Sequence, residues 1–180
     1  MKQILSKSIV LVGLMGSGKS AIGKMLAERM GVPLSDIDKM IEKEVGKEIN
    51  QIFEDSGEKY FRKVEEKVVG RALDNSAHII STGGGAILSP KTRSLIKLKS
   101  CSIWIQCDVH IIEKRILNQE KRPLLKNKNI VDALIEKSEE RIKFYSQADI
   151  HIKNENRNLE IAVEAAIKNL LLNKVMKNYD

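Results

Sequence analysis

The chain has little of what marks a secreted, membrane-spanning or nucleic-acid-stacking protein. It holds two cysteines in 180 residues. Cys101 and Cys107 flank the apolar run Ser102-Ile103-Trp104-Ile105-Gln106, a spacing that matches no zinc or redox motif, and free thiols fit a reducing compartment. The three histidines, His78, His110 and His151, are isolated from one another and from cysteine, so no metal-ligand cluster is visible. Aromatic residues make up 4% of the chain, with one Trp and no patterned series for stacking bases, which speaks against a nucleic-acid surface. No run approaches the roughly 18 apolar residues of a membrane span, and residues 1–7 are too short and polar a stretch for a signal peptide. Internal repeats and low-complexity tracts are absent as well. The expectation is a cytoplasmic protein with neither a membrane nor a nucleic acid as partner.

What is present is enough for one globular domain: 180 residues, 42% of them hydrophobic. The formal charge of +7 suits anionic ligands such as nucleotides or acidic metabolites. Yet the 31 basic residues are interleaved with 24 acidic ones, and an ordinary solvated surface explains most of that excess.

One segment is far more specific. Gly13-Leu14-Met15-Gly16-Ser17-Gly18-Lys19-Ser20 matches the phosphate-loop pattern G-x-x-x-x-G-K-[ST] at every fixed position. At average residue usage such a match arises by chance on the order of once in a hundred chains of this length. It also sits in the required context, after the apolar run Ser8–Val12 and before the helical periodicity of Lys19–Met30. Glycines at 13, 16 and 18 let the backbone curl its N–H groups around a phosphate. The following helix adds its positive dipole end. Lys19 reaches the β- and γ-phosphates, and the Ser20 hydroxyl is a ligand for Mg²⁺. Residues Gly16, Ser17, Gly18, Lys19, Ser20 and Ala21 are the expected ATP contacts.

Strands are expected at 8–12, 33–37, 78–81, 102–107 and 149–153, with helices at 19–30, 39–45, 49–55, 59–73, 90–98, 110–117, 130–147 and 159–175. This alternation implies an α/β fold with a mostly parallel sheet and helices on both faces. In such folds ligands bind beyond the carboxyl ends of the strands. The polar motifs do follow the strands: the phosphate loop after the first, Asp36-Ile37-Asp38 around the end of the second, and Ser81-Thr82-Gly83-Gly84-Gly85 after the third. Residues 118–129, rich in Lys, Asn and Gln around Arg122-Pro123-Leu124-Leu125, are too polar for a core and read as a flap.

In an extended segment Asp36 and Asp38 fall on the same side. Asp38 is the candidate to orient an acceptor hydroxyl and take its proton, and Asp36 belongs to the Mg²⁺ side. The plainer alternative makes Asp38 the N-cap of the helix beginning at Lys39. Three glycines at 83–85 let backbone amides approach a ligand closely, with a flexible loop as the ordinary alternative.

Together these motifs resemble the shikimate kinase family, in its order and over nearly the whole chain. Ile52-Phe53, Gly57-Glu58 and Phe61-Arg62-Lys63-Val64-Glu65 are similar to its substrate-binding signature, Gly83–Gly85 to its glycine triplet, and Arg122–Leu125 to its lid motif. The resemblance implies a P-loop three-layer α/β/α fold of the nucleoside monophosphate kinase kind, with a five-stranded parallel sheet. It implies a single kinase domain over 1–180, a substrate-binding region at 36–65 and a lid at 118–129. The activity implied is ATP-dependent phosphorylation of the 3-hydroxyl of shikimate, with one Mg²⁺ accompanying ATP, in a monomer.

Carried over position by position, Asp38, Arg62, Gly83, Gly84, Gly85 and Arg141 hold shikimate. Lys19, Asp38 and Arg122 serve catalysis, and Arg122 closes over ATP. Guanidinium groups suit the clamp role because they grip a planar carboxylate through two parallel hydrogen bonds. Without the resemblance, Arg141 reads as a solvated helix residue after Glu139 and Glu140. Arg62 reads as a partner of Glu58, Glu65 or Glu66, with Glu65 as its support within the site the alternative. Arg115 is a further phosphate candidate, and Phe53 and Phe61 suit an apolar wall or plain core packing. The sequence departs from the family in two places. Ser81 stands at the Walker B position, leaving metal binding to Ser20 and Asp36. The turn at 152–159 lacks the family's Asp and Pro, with Arg157 the candidate to stack on adenine. The competing readings are a gluconate or nucleoside monophosphate kinase of the same fold, and a non-catalytic nucleotide-binding module.

Overall fold

The computed structural model describes residues 2–117, 130–155 and 158–179. Five strands form the central sheet: β2 (Ser8–Val12), β3 (Leu34–Asp36), β4 (Ile79–Ser81), β5 (Ser100–Gln106) and β6 (Ile150–Lys153). All pairings in this sheet are parallel, in the order β3-β4-β2-β5-β6. Helices α1 (Lys19–Met30), α2 (Ile37–Val45), α3 (Ile49–Leu73), α4 (Pro90–Lys99), α5 (Val109–Leu117), α6 (Ile130–Tyr145) and α7 (Leu159–Leu172) connect and cover it.

The period-2 alternation of a strand decides which layer each residue joins. On β2, Ile9 and Leu11 pack with Ile22, Leu26, Val163 and Ala166 of α1 and α7. Val10 and Val12 point the other way, to Ile41, Phe61, Val68 and Ile96 beneath α2, α3 and α4. Since every residue of β2 is buried, the strand reads as an uninterrupted apolar run, as parallel strands covered on both faces do. Each such Ile, Leu or Val contributes about 1.5–3 kcal/mol by leaving water.

Two strands lie outside the expected set. β1 (Lys2–Leu5) pairs antiparallel with β7 (Met176–Tyr179), from Lys2 opposite Tyr179 to Leu5 opposite Met176. The β7 segment also ends the last helix at Leu172, short of the expected 175. Helices expected at 49–55 and 59–73 form one run, α3, broken at Gly57, where φ 75° and ψ 169° leave the helical region. A one-turn 3₁₀ helix at Ala86–Leu88 follows the glycine triplet. Residues 118–129, expected to form the flap, lie outside the described residues, as do 156 and 157.

Candidate active site

The loop from Gly13 to Gly18 joins β2 to α1 and is built on three glycines with φ of 143°, 75° and 99° at positions 13, 16 and 18. At Gly18 the need is steric too, because a Cβ would overlap the Asn154 amide. Lys19 starts α1 and is buried. Its ammonium folds back onto its own loop, donating to the carbonyls of Gly13 at 2.8 Å and Leu14 at 2.7 Å. Burial pulls its pKa down to about 8, against the opposing pull of Asp38 and Asp36, with Arg141 adding to the depression. Ser20 Oγ lies one residue on, donating to Asp36 Oδ2 at 3.2 Å and 3.4 Å from Ser81 Oγ. The serine at the Walker B position thus stands beside the phosphate-loop serine.

The acidic pair is not arranged as an extended strand would place it. β3 stops at Asp36, whose carboxylate accepts from the Lys39 amide at 3.3 Å and caps α2. Asp36 therefore takes the N-cap role that the sequence offered to Asp38, because Ile37 is drawn into the core and already begins the helix. Asp38 sits in the first turn and reaches the glycine triplet instead. A Cβ on Gly83 would stand 2.9 Å from both Asp38 Oδ1 and Glu65 Oε1. One on Gly84 would stand 3.0 Å from the Met15 amide, and one on Gly85 would overlap the Arg62 guanidinium. The triplet is thus a spacer with no side chains, letting the phosphate loop, Asp38, Glu65 and Arg62 converge.

Arg62 is held by two of its three possible helix partners: Glu65 at 2.7 Å and Glu58 at 3.0 Å. The third, Glu66, accepts instead from Ser89 Oγ at 2.6 Å. Glu65 is buried, and that burial raises its carboxyl pKa in spite of the Arg62 guanidinium beside it. Arg141, which reads as solvated in the sequence, is 7% exposed. Its Nε lies 3.6 Å from the Glu140 carboxylate, beyond hydrogen-bond reach. Of the two phenylalanines, Phe61 is buried and Phe53 half-exposed, their rings 4.6 Å apart. A cleft of about 1060 Å³ opens beside the phosphate loop and the glycine triplet, lined by Gly16, Lys19, Ser20, Asp38, Gly83 and Arg115 among others. The described positions from both halves of the expected site thus meet at one place, beyond the carboxyl ends of β2, β3 and β4. Arg122 and Arg157 lie outside the described residues.

The family model for shikimate kinase matches residues 15–171. The chain belongs to the shikimate kinase family. The shikimate kinase of Caulobacter vibrioides (strain NA1000 / CB15N) is 40% identical over 162 residues, 90% of this chain and 81% of that protein. That of Persephonella marina is 41% identical over 152 residues, covering 84% and 91%. Among solved structures, shikimate kinase from Acinetobacter baumannii in complex with shikimate superposes with a TM-score of 0.88 at 31% identity, over 93% of this chain and 94% of that one. A gluconokinase from Sinorhizobium meliloti 1021 shares the fold alone, at TM-score 0.63 and 17% identity. Membership makes the chain a P-loop α/β/α kinase that takes a phosphoryl group from ATP and delivers it to shikimate.

Two residues of this site escape sequence reading. Asn154, at the end of β6, is buried and donates to the Ser17 carbonyl at 2.7 Å. Arg115 donates to the Asn154 carbonyl at 3.2 Å, and to Gly16 and Ser17 carbonyls at 3.5 and 3.4 Å. Tyr145, at the end of α6, is buried with its hydroxyl on the Gly84 carbonyl. A polar residue after a strand reads as turn and an aromatic residue in a helix as core, so neither position carried a signal of its own.

Proposed function

We propose that the chain transfers the γ-phosphoryl group of ATP to the 3-hydroxyl of shikimate with the described cleft as its active site. Amides of the loop at 16–21 and the Lys19 ammonium hold the β- and γ-phosphates, and Arg122 closes over them from the lid while Arg157 stacks on the adenine. Asp38 orients the acceptor hydroxyl and takes its proton as oxygen bonds to the γ-phosphorus and the bond to the ADP oxygen breaks. Arg62 and Arg141 grip the acceptor carboxylate from α3 and α6, with the amides of Gly83, Gly84 and Gly85 beside it.

Ser20 and Asp36 suit Mg²⁺: both offer oxygen, 3.2 Å apart, and this ion is held by one or two protein oxygens together with phosphates and water. Bound there, it neutralises charge on the β- and γ-oxygens. Among the described residues no helix is long and apolar enough to cross a membrane. We place the enzyme in the cytoplasm as a monomer, with neither nucleic acid nor membrane as partner.

The observation that carries this reading is the convergence at Gly83, where the Asp38 and Glu65 carboxylates both press on a residue without a side chain, in the same cleft as Lys19. The test is ADP release with ATP and Mg²⁺ across shikimate, gluconate and nucleoside monophosphates, followed by NMR of the product. Release that depends on shikimate, with phosphate on the 3-oxygen, supports it. Absence of shikimate-dependent release refutes it.

A further inference from the structure

Tyr145 lies four residues after Arg141, so the two side chains leave the same face of α6. Its hydroxyl donates to the Gly84 carbonyl at 2.5 Å, and the positive charge of Arg141 acts on the same hydroxyl. The directions are forced. A phenol has one proton and two lone pairs, so with its proton on Gly84, the oxygen has only lone pairs to offer Arg141. Trp104 stacks on the ring with centroids 5.9 Å apart, which keeps it from swinging away. Burial pushes the phenol's pKa up to about 12, so the donor keeps its proton throughout the neutral range.

The Gly84 bond matters because peptides are planar and those of the described chain are all trans. Holding the Gly84 carbonyl on Tyr145 turns the Gly85 N–H to the opposite side. A peptide between two glycines flips more easily than any other, and a flip would put a carbonyl where the amide now stands. On the other side, Arg141 keeps a buried Nε without a hydrogen-bond partner, a donor left over for a ligand.

We propose that Tyr145 is a positioning residue for the acceptor, one buried hydroxyl that sets both the amide face of the glycine triplet and the direction of the Arg141 guanidinium. The inference rests on the placement of shikimate against Arg62, Arg141 and the triplet. Tyr145 touches neither ATP nor the reacting atoms, so its effect falls on acceptor binding.

The test is Tyr145→Phe in the full chain, which keeps the ring and removes the hydroxyl alone. Steady-state assays give KM for shikimate and for ATP separately, and the fluorescence of Trp104, the single tryptophan, reports shikimate binding without turnover. The expected result is a rise of about tenfold in shikimate KM, the loss of one hydrogen bond to a charged group, with KM for ATP within about twofold of wild type. An unchanged shikimate KM overturns the proposal, and so does an equal rise in both KM values, which is what general loosening produces. Arg141→Ala separates the levels. A raised shikimate KM there, with none in Tyr145→Phe, removes Tyr145 alone; no rise in either removes the acceptor placement too. In the double variant the two effects should combine to less than their product, and full multiplication contradicts action through Arg141.

Discussion

The Arg62 guanidinium lies 2.7 Å from the Glu65 carboxylate, one turn along α3, and Glu65 is 2% exposed while Arg62 is 24% exposed. Removing the arginine leaves a buried carboxylate without its counter-charge. Arg62→Ala is therefore expected to lose about 3 kcal/mol of stability near neutral pH, the low end for a broken buried pair since one partner is partly hydrated. The loss should shrink in acid. Glu65 has a folded-state pKa already raised by burial, and without Arg62 it rises further. A carboxyl raised in the folded state adds stability below its unfolded pKa and loses it as pH climbs. Denaturant melts at pH 5 and pH 8 check this, with the larger deficit expected at pH 8. Shikimate KM should rise in the same variant.

Lys19 gives a second pH dependence. Below about pH 8 its ammonium is charged, and above that it is increasingly neutral, so KM for ATP should climb as pH passes 8 while KM for shikimate climbs less. Stability runs the other way. Between about 8 and the ordinary 10.5 the unfolded chain binds a proton that the folded chain lacks, so this buried lysine's destabilising effect fades as pH rises through that window. Lys19→Met should remove both trends, as steady-state assays and melts from pH 7 to 10 will show.

Asp36 combines two duties that substitutions can separate. Asp36→Asn retains an oxygen to cap α2 but loses the carboxylate beside Ser20, so its expected defect is a raised Mg²⁺ requirement with a nearly normal Tm. Asp36→Ala loses the cap as well, at a cost of about 1 kcal/mol. Mg²⁺ titrations of activity alongside thermal melts measure the two.

Gly85 sits at φ −94°, a conformation open to any residue, so Gly85→Ala strains no backbone. Its methyl group would instead displace the Arg62 guanidinium. The expectation is a shikimate KM raised about tenfold or more, if one charged hydrogen bond is lost, with KM for ATP unchanged. Kinetics for the two substrates measured separately decide it.

Much of this architecture could be read from local pattern. β2 and β4 are rich in β-branched residues and β5 carries an apolar centre at Ile103-Trp104-Ile105, and the glycine loop between β2 and α1 has a fixed spacing that backbone chemistry dictates. The break at Gly57 was equally visible, since a glycine between two helical patterns marks it. β1 and β7 were not: each is four residues long and finds its partner at the opposite end of the chain, a pairing with no local signature. The Asp36-Ile37-Asp38 geometry failed for another reason. Burial of Ile37 and the cap at Lys39 start α2 earlier than the strand pattern suggests. Arg141 reads as solvated in isolation because its burial depends on how α6 packs against α5 and the 3₁₀ turn after the glycine triplet, which no local pattern encodes.

The central claim is that Asp38 serves the acceptor rather than the nucleotide. Asp38→Asn keeps the size and removes the base, so the decisive measurement pairs its kcat with its Kd for ATP. The account predicts a kcat lower by about 10²–10⁴-fold, the span of a lost general base, with the ATP Kd unchanged. A near-normal kcat in Asp38→Asn would contradict it.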